Sequence, residues 1–284
     1  MSEGMNSMTS NIFSPSEFLK RDVECIRLIT YPGNQALAIK VLPKGLPGLV
    51  FQLGQDGSAI DTIATPSAQF SALPVLFLHG SGSEPSVMHF KKGPYTTIQV
   101  VFKPQALYTL FGLDAVAFSC KPSIHLGATE FGGETLETQL IKTPLDSERI
   151  VLLETFLVEK LKQSGTRDKM IEESLDQIHN NIGSTTVQSL LEQLNISERQ
   201  FQKRFARVVG CSPKRYIRVT RVNEALKLMN SGNYERLSDV AYALNFYDQS
   251  HFIREMKTFS WVSPKNLTQK VIEFHQDQAG ASYQ

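Results

Sequence analysis

Between Ser197 and Arg221 the chain carries eight basic side chains, Arg199, Lys203, Arg204, Arg207, Lys214, Arg215, Arg218 and Arg221, against one acid, Glu198. Guanidinium and ammonium groups at this density suit one kind of chemistry, the neutralisation of anions such as the phosphates of a nucleic-acid backbone. Gln202 stands among them, and a second segment carries Gln249, Ser250, His251, Arg254 and Lys257. Arg and Lys can pair with guanine O6 and N7, and Gln with adenine N6 and N7. A charge run can equally be a solvated helix face, so the elements that carry it decide.

Those elements are written twice. "NISERQFQKRFAR" (195–207) and "NFYDQSHFIREMK" (245–257) both open on Asn after a Leu. Each has an aromatic anchor and a large apolar residue four positions on, Phe201 and Phe205, then Phe252 and Met256, and each is followed by Ser-Pro, at Ser212-Pro213 and Ser263-Pro264. Upstream, Val187, Leu190, Leu191 and Leu194 are matched by Leu237, Val240, Ala241 and Leu244, the spacing of a short amphipathic helix. Asn tolerates positive φ and can turn the chain at 195 and 245. Ser197 and Asp248 are natural caps for the helix that follows. Helix, tight turn and helix make a helix-turn-helix unit, whose second helix lies in a DNA major groove. "PKRYIRVTRVNEALKLMNSG" starts at Pro213, ends at Gly232 and would space the two units like a strut. Two reading helices so held can enter successive grooves, about 34 Å apart. With "RDKMIEESLDQIHNNIG" before them and "PKNLTQKVIEF" after, seven helices are predicted in this half.

Residues 168–270 resemble the two-unit DNA-binding domain of AraC-type transcriptional regulators. "LSDVAYALNFYDQSHFIREMK" with its Ser-Pro is similar to the signature segment of that family, and "FQKRFARVVGCSP" to its first-unit counterpart. Two positions depart from the pattern: Asn245 stands where the family favours Gly, and Trp261 replaces the Gly before the second Ser-Pro. Trp261 predicts either a remodelled helix end near 260 or a side chain packed on a neighbour. The resemblance implies base reading by Arg199, Gln202 and Lys203 in the first unit and by Gln249, Ser250, His251 and Arg254 in the second. Arg204, Arg207, Lys214, Arg215 and Lys257 are expected to contact phosphates, which position the protein without specifying sequence. Ile253 is expected on the reading face, against a thymine methyl. The anchors are core.

From about Tyr31 to Leu126 the texture is β: "LAIKVLP", "LPGLVFQLG", "LPVLFLHG" and "TTIQVVFKP" are separated by Gly, Pro, Asp and Ser. "SERIVLLETFLVEKLKQ" (147–163) then repeats Ile150, Leu153, Leu157 and Leu161 at helical spacing. That stripe packs on its own domain or presents itself to a second copy, so a homodimer through 147–163 is one expectation. The β-rich half resembles the sensing domains attached to such regulators, many of them cupin-like, and "VVFKPQALYTLFGL" (100–113) is similar to a stretch of one such type. The fold class expected is α+β: a β-rich domain, cupin-like barrel or sandwich, and an all-α domain. The expected divisions are a flexible tail 1–15, a sensing or dimerisation domain 16–163, a linker 164–168 and the DNA-binding domain 169–284.

Other chemistries lack their residues. Three widely spaced cysteines, Cys25, Cys120 and Cys211, give neither a disulfide framework nor a zinc site. His79, Glu84 and His89 are not at the close histidine spacing of a metal-binding cupin. "FLHGSGSEP" (77–85) resembles an oxyanion loop, yet no Gly-x-Ser-x-Gly elbow accompanies it, so it reads as a turn between strands or the rim of a ligand pocket. No phosphate loop or dinucleotide fingerprint is present. The protein is expected to be no enzyme and to need no cofactor or metal. With no signal-peptide pattern and no long apolar run, a cytoplasmic location is expected. The function implied is sequence-specific regulation of transcription on promoter or operator DNA, with an effector of unspecified identity and RNA polymerase as further partners the resemblance admits. The alternative is a small-ligand-binding protein whose helical half docks another protein. The eight cations against one acid favour DNA.

Overall fold

Alternation along the strands leaves one sheet with apolar side chains on both faces, and that sheet organises the N-terminal half. The structure is a computed structural model and describes residues 8–118, 124–126, 132–264, 266, 275–277 and 280–283. The first strands are β1 (Thr9–Phe13), β2 (Val23–Tyr31), β3 (Leu37–Val41), β4 (Gly48–Gly54), β5 (Ile60–Ala64), β6 (Gln69–Ser71), β7 (Leu76–His79), β8 (Ser86–Phe90) and β9 (Tyr95–Phe102). They are followed by α1 (Ala106–Phe111), β10 (Ile124–His125), α2 (Gly133–Lys142) and α3 (Asp146–Gln163). One antiparallel sheet runs β1-β2-β9-β4-β7-β10; the other contains β3-β8-β5-β6.

On β9, Ile98, Val100 and Phe102 join the core beneath α1, α2 and α3, while Tyr95 joins the core shared with the second sheet. The period of two thus places one strand in two cores. The α3 stripe takes part in the first: Ile150, Leu153 and Leu157 are buried there with Leu161 packed against them. Of the two readings of the stripe, packing on its own domain is the one seen in the chain.

The helical half comprises α4 (Lys169–Asn180), α5 (Val187–Leu194), α6 (Glu198–Val209), α7 (Pro213–Ser231), α8 (Leu237–Ala243) and α9 (Gln249–Ser260). The helix expected in "PKNLTQKVIEF" falls almost entirely outside the described residues. Two hydrophobic cores divide this half. Ile171, Leu175, Ile178, Leu190, Phe201, Phe205, Tyr216 and Ile217 form the first. Val219, Val222, Leu226, Val240, Leu244, Phe252, Met256 and Phe259 form the second. Helix α7 belongs to both, which makes it a strut in the mechanical sense. No helix among the described residues is long and apolar enough to cross a membrane.

Three features depart from the sequence reading. Residues 9–13, expected within a tail, form β1 and pair with β2. Strand β2 begins at Val23, well before Tyr31. Two strands follow the helices, β11 (His275–Asp277) and β12 (Gly280–Tyr283). β12 pairs with β3, so the segment 169–284 is not wholly helical and its end completes the second sheet. The β12–β3 contact joins distant parts of the chain, which local pattern does not report.

Candidate nucleic-acid interface

Both turns expected of Asn are made by Asn in the left-handed region: φ is 49° at Asn195 and 54° at Asn245. Asp248 caps α9, its carboxylate accepting from the His251 N–H at 2.6 Å. Ser197 stands at the N-cap of α6, but its hydroxyl donates to Gln200 at 2.9 Å rather than closing the helix end. Both reading helices end on a left-handed residue, Gly210 (φ 89°) and Trp261 (φ 60°). The helix end at Trp261 is therefore not remodelled. Its indole is 42% exposed, and a bulky side chain occupies a backbone conformation that glycine adopts without cost.

Phe201, Phe205, Phe252 and Met256 are fully buried. That fixes the opposite faces outward. Arg199, Gln202 and Lys203 are exposed on α6, and Gln249, Ser250 and Arg254 on α9. Gln202 donates to Glu198 at 2.7 Å along the same helix. His251 stands apart from its expected companions. It is half-buried, edge-on to Phe246 with ring centroids 5.7 Å apart, and its Nδ1 accepts from the Tyr247 N–H at 3.3 Å. Ile253 packs against the second core rather than on the open reading face.

The residues expected at phosphates divide in two. Lys214 and Lys257 are exposed and make no ion pair among the described residues. The other three are engaged. Arg204 pairs with Asp168, the cap of α4, and that bond holds its guanidinium above the ordinary value. Arg207 lies over the Tyr108 ring at 5.3 Å. Arg215 donates to the Ser83 carbonyl at 2.8 Å and stands 3.6 Å from the Glu84 carboxylate. "FLHGSGSEP" is thus where the β half grips the helices: Ser81 also donates to the Val209 carbonyl at the end of α6. Further ties are Asn223 to the Pro43 carbonyl at 2.8 Å and the Leu42 N–H to the Ala281 carbonyl at 3.0 Å. Arg167 bridges Asp22 and Glu172. Cys211, its thiol pushed up to about 12 by burial, stays protonated.

Among the described residues no group of three or more His, Cys, Asp or Glu is placed to hold a metal ion. His79 is half-buried with Nδ1 3.0 Å from the Gly80 carbonyl, and Glu84 takes the Ser67 hydroxyl at 2.6 Å.

The sequence reading gave no role to Arg218 and Arg221, although both lie in the basic stripe. Arg218 grips Glu255 of α9 through two hydrogen bonds of 2.8 Å, which raise its pKa. Arg221 sits 5.8 Å from the centroid of the Phe246 ring, and burial lowers its pKa. Their position two and five residues after Tyr216, which turns them off the face that Tyr216 buries, was the available signal.

Residues 190–270 match the family described as "Helix-turn-helix domain". The chain carries an AraC-type helix-turn-helix domain. Residues 11–120 match "Domain of unknown function (DUF6597)". No curated protein matches the sequence. Among solved structures the chain is similar to ToxT from Vibrio cholerae, at 12% identity over 93% of this chain and 98% of that one, with a TM-score of 0.47. It is also similar to the AraC-like transcriptional activator CuxR, at 13% identity over 71% of this chain and 76% of that one, TM-score 0.32. A cupin domain from Bordetella pertussis Tohama I matches at 11% identity over 34% of this chain and 95% of that one, TM-score 0.25.

Proposed function

We propose that this AraC-like regulator acts by sequence-specific binding of duplex DNA, with its N-terminal β domain supplying response to an effector. One observation carries the reading. Two helix-turn-helix units share one strut, and each leaves a polar row exposed directly opposite its buried anchors. Arg199, Gln202 and Lys203 read one half-site; Gln249, Ser250 and Arg254 read the other, flanked by His251. Lys214 and Lys257 contact phosphates as the protein stands, while Arg204, Arg207 and Arg215 join them when their present partners release them. The domains divide at 164–168, with the C-terminal strand β12 returning to the sheet of the first. RNA polymerase is the further partner a promoter-bound regulator would meet.

The β domain supports an effector role through two groups on β9. The Tyr95 hydroxyl and the Thr97 Oγ1 are buried without a hydrogen-bond partner among the described residues. Both lie on the face turned toward the second sheet, sealed from solvent, and a polar ligand would satisfy them once the two sheets part there. A protein-docking module in place of the DNA-binding half has little use for eight cations and one acid.

The test is selection of duplexes from a random pool by the full chain, followed by affinity measured against salt. Affinity is expected to fall steeply, with a slope of about −0.9 per phosphate contacted. Affinity that stays flat between low and moderate salt contradicts the proposal.

A further inference from the structure

A cleft of about 610 Å³ opens between the two units. Thr185 and its neighbours at the start of α5 form one wall, His251 and Glu255 of α9 the other, and Lys214, Arg218 and Arg221 of the strut the floor. Its charge is unbalanced. The only carboxylate in the lining, Glu255, is held by both nitrogens of the Arg218 fork. Lys214 and Arg221 make no ion pair among the described residues, and Arg221 feels the Glu255 carboxylate only at longer range.

Arg221 is the more telling of the two. It is half-buried, its Nε is sealed from solvent, and no acceptor reaches that nitrogen among the described residues. Its visible support is the face of Phe246. A cation partly removed from water carries a desolvation cost that an anion in the cleft would offset. Arg218 cannot neutralise it and is itself fixed by Glu255, so that its remaining edge is presented at a set angle. The cleft is wide enough for a tetrahedral anion, and a guanidinium matches the oxygens of a phosphate.

We infer that this cleft seats a backbone phosphate of the DNA strand that passes between the two half-sites, with Arg221 as its main donor and Lys214 beside it. The inference rests on the DNA-binding reading. If α6 and α9 occupy neighbouring major grooves, the intervening backbone must cross the strut, and the cleft lies on the strut between the units. The same chemistry would accept a free phosphate, and the test separates the two sources.

The full chain is bound to its selected duplex, in which single linkages are replaced by uncharged methylphosphonates. Linkages midway between the two groove contacts are expected to lower affinity about tenfold with the natural protein. They should have less than about a twofold effect with Arg221→Gln, whose salt slope is shallower by about one unit. Arg221→Lys should restore part of the central effect, which a loss of packing alone would not explain. Central methylphosphonates without effect, when outer ones still weaken binding, overturn the inference and leave DNA binding intact. Thermal protection by inorganic phosphate that depends on Arg221 and is not competed by the duplex also overturns it, in favour of a free anion. Failure to select any duplex overturns the functional reading itself.

Discussion

The two helix-turn-helix units repeat one pattern but are tethered differently. In the first, α6 ends against the β domain. Ser81 takes the Val209 carbonyl, Arg207 lies on Tyr108, and Gly210 passes so close to the Ala115 carbonyl that a Cβ there would stand 3.0 Å from it. In the second, α9 is held by its own core and by α7, and the β half reaches that core through Leu42 and Ala281. Its polar row is free of such ties. The unit whose reading helix ends on the β domain is thus placed to feel a change there more directly than the second, which the β half touches through its core.

The comparison can be broken most forcefully at the anchors. Phe205→Ala and Phe252→Ala each empty a fully buried site and are expected to cost about 3–5 kcal/mol. Because α7 contributes to both cores, urea unfolding followed by circular dichroism should show one helical transition that either variant lowers. Two separable transitions, each lowered by one variant alone, would show that the strut does not couple the units.

Reading comes next in size. Lys203→Ala and Arg254→Ala are each expected to relax base preference at one or two positions of their own half-site, at about 1–3 kcal/mol per lost bidentate contact. Affinity against a panel of singly mutated duplexes at fixed salt checks this. A uniform loss across the panel with Arg254→Ala contradicts the assignment, and so does a shared half-site.

The helix ends sharpen the comparison at the smallest scale. Trp261→Gly relieves a left-handed residue and is expected to raise stability by about 1 kcal/mol. Gly210→Ala should lower it by about 1–2 kcal/mol, since the left-handed penalty adds to crowding at Ala115. Thermal unfolding measures both, and a Trp261→Gly that destabilises would show the indole to be a packing element instead.

The legible parts of this chain were those in which a local rule has one outcome. Asn195 and Asn245 turn the chain, Asp248 caps, and Phe201 and Phe252 bury themselves, because each depends on a few neighbouring residues. The β texture of 37–41, 48–54, 76–79 and 95–102 was readable for the same reason. Strand β2 escaped because, buried on both faces, it lacks the alternation that marks a half-buried strand. Pairing of β12 with β3 joins residues some 240 apart, and no local pattern encodes it. At the site, exposure of Arg199, Gln202, Lys203, Gln249, Ser250 and Arg254 followed from helical period once the anchors were known. The engagement of Arg204 by Asp168 and of Arg215 by Ser83 and Glu84 did not, because a basic side chain does not announce which anion or carbonyl will reach it.

The central claim is that both units act on one duplex at once. A hydroxyl-radical and methylation-protection footprint of the full chain on a selected duplex tests it most directly. Two protected major-groove patches on one face of the DNA, about 10–10.5 base pairs apart centre to centre, are predicted. A single protected patch, or two patches on opposite faces, would contradict it.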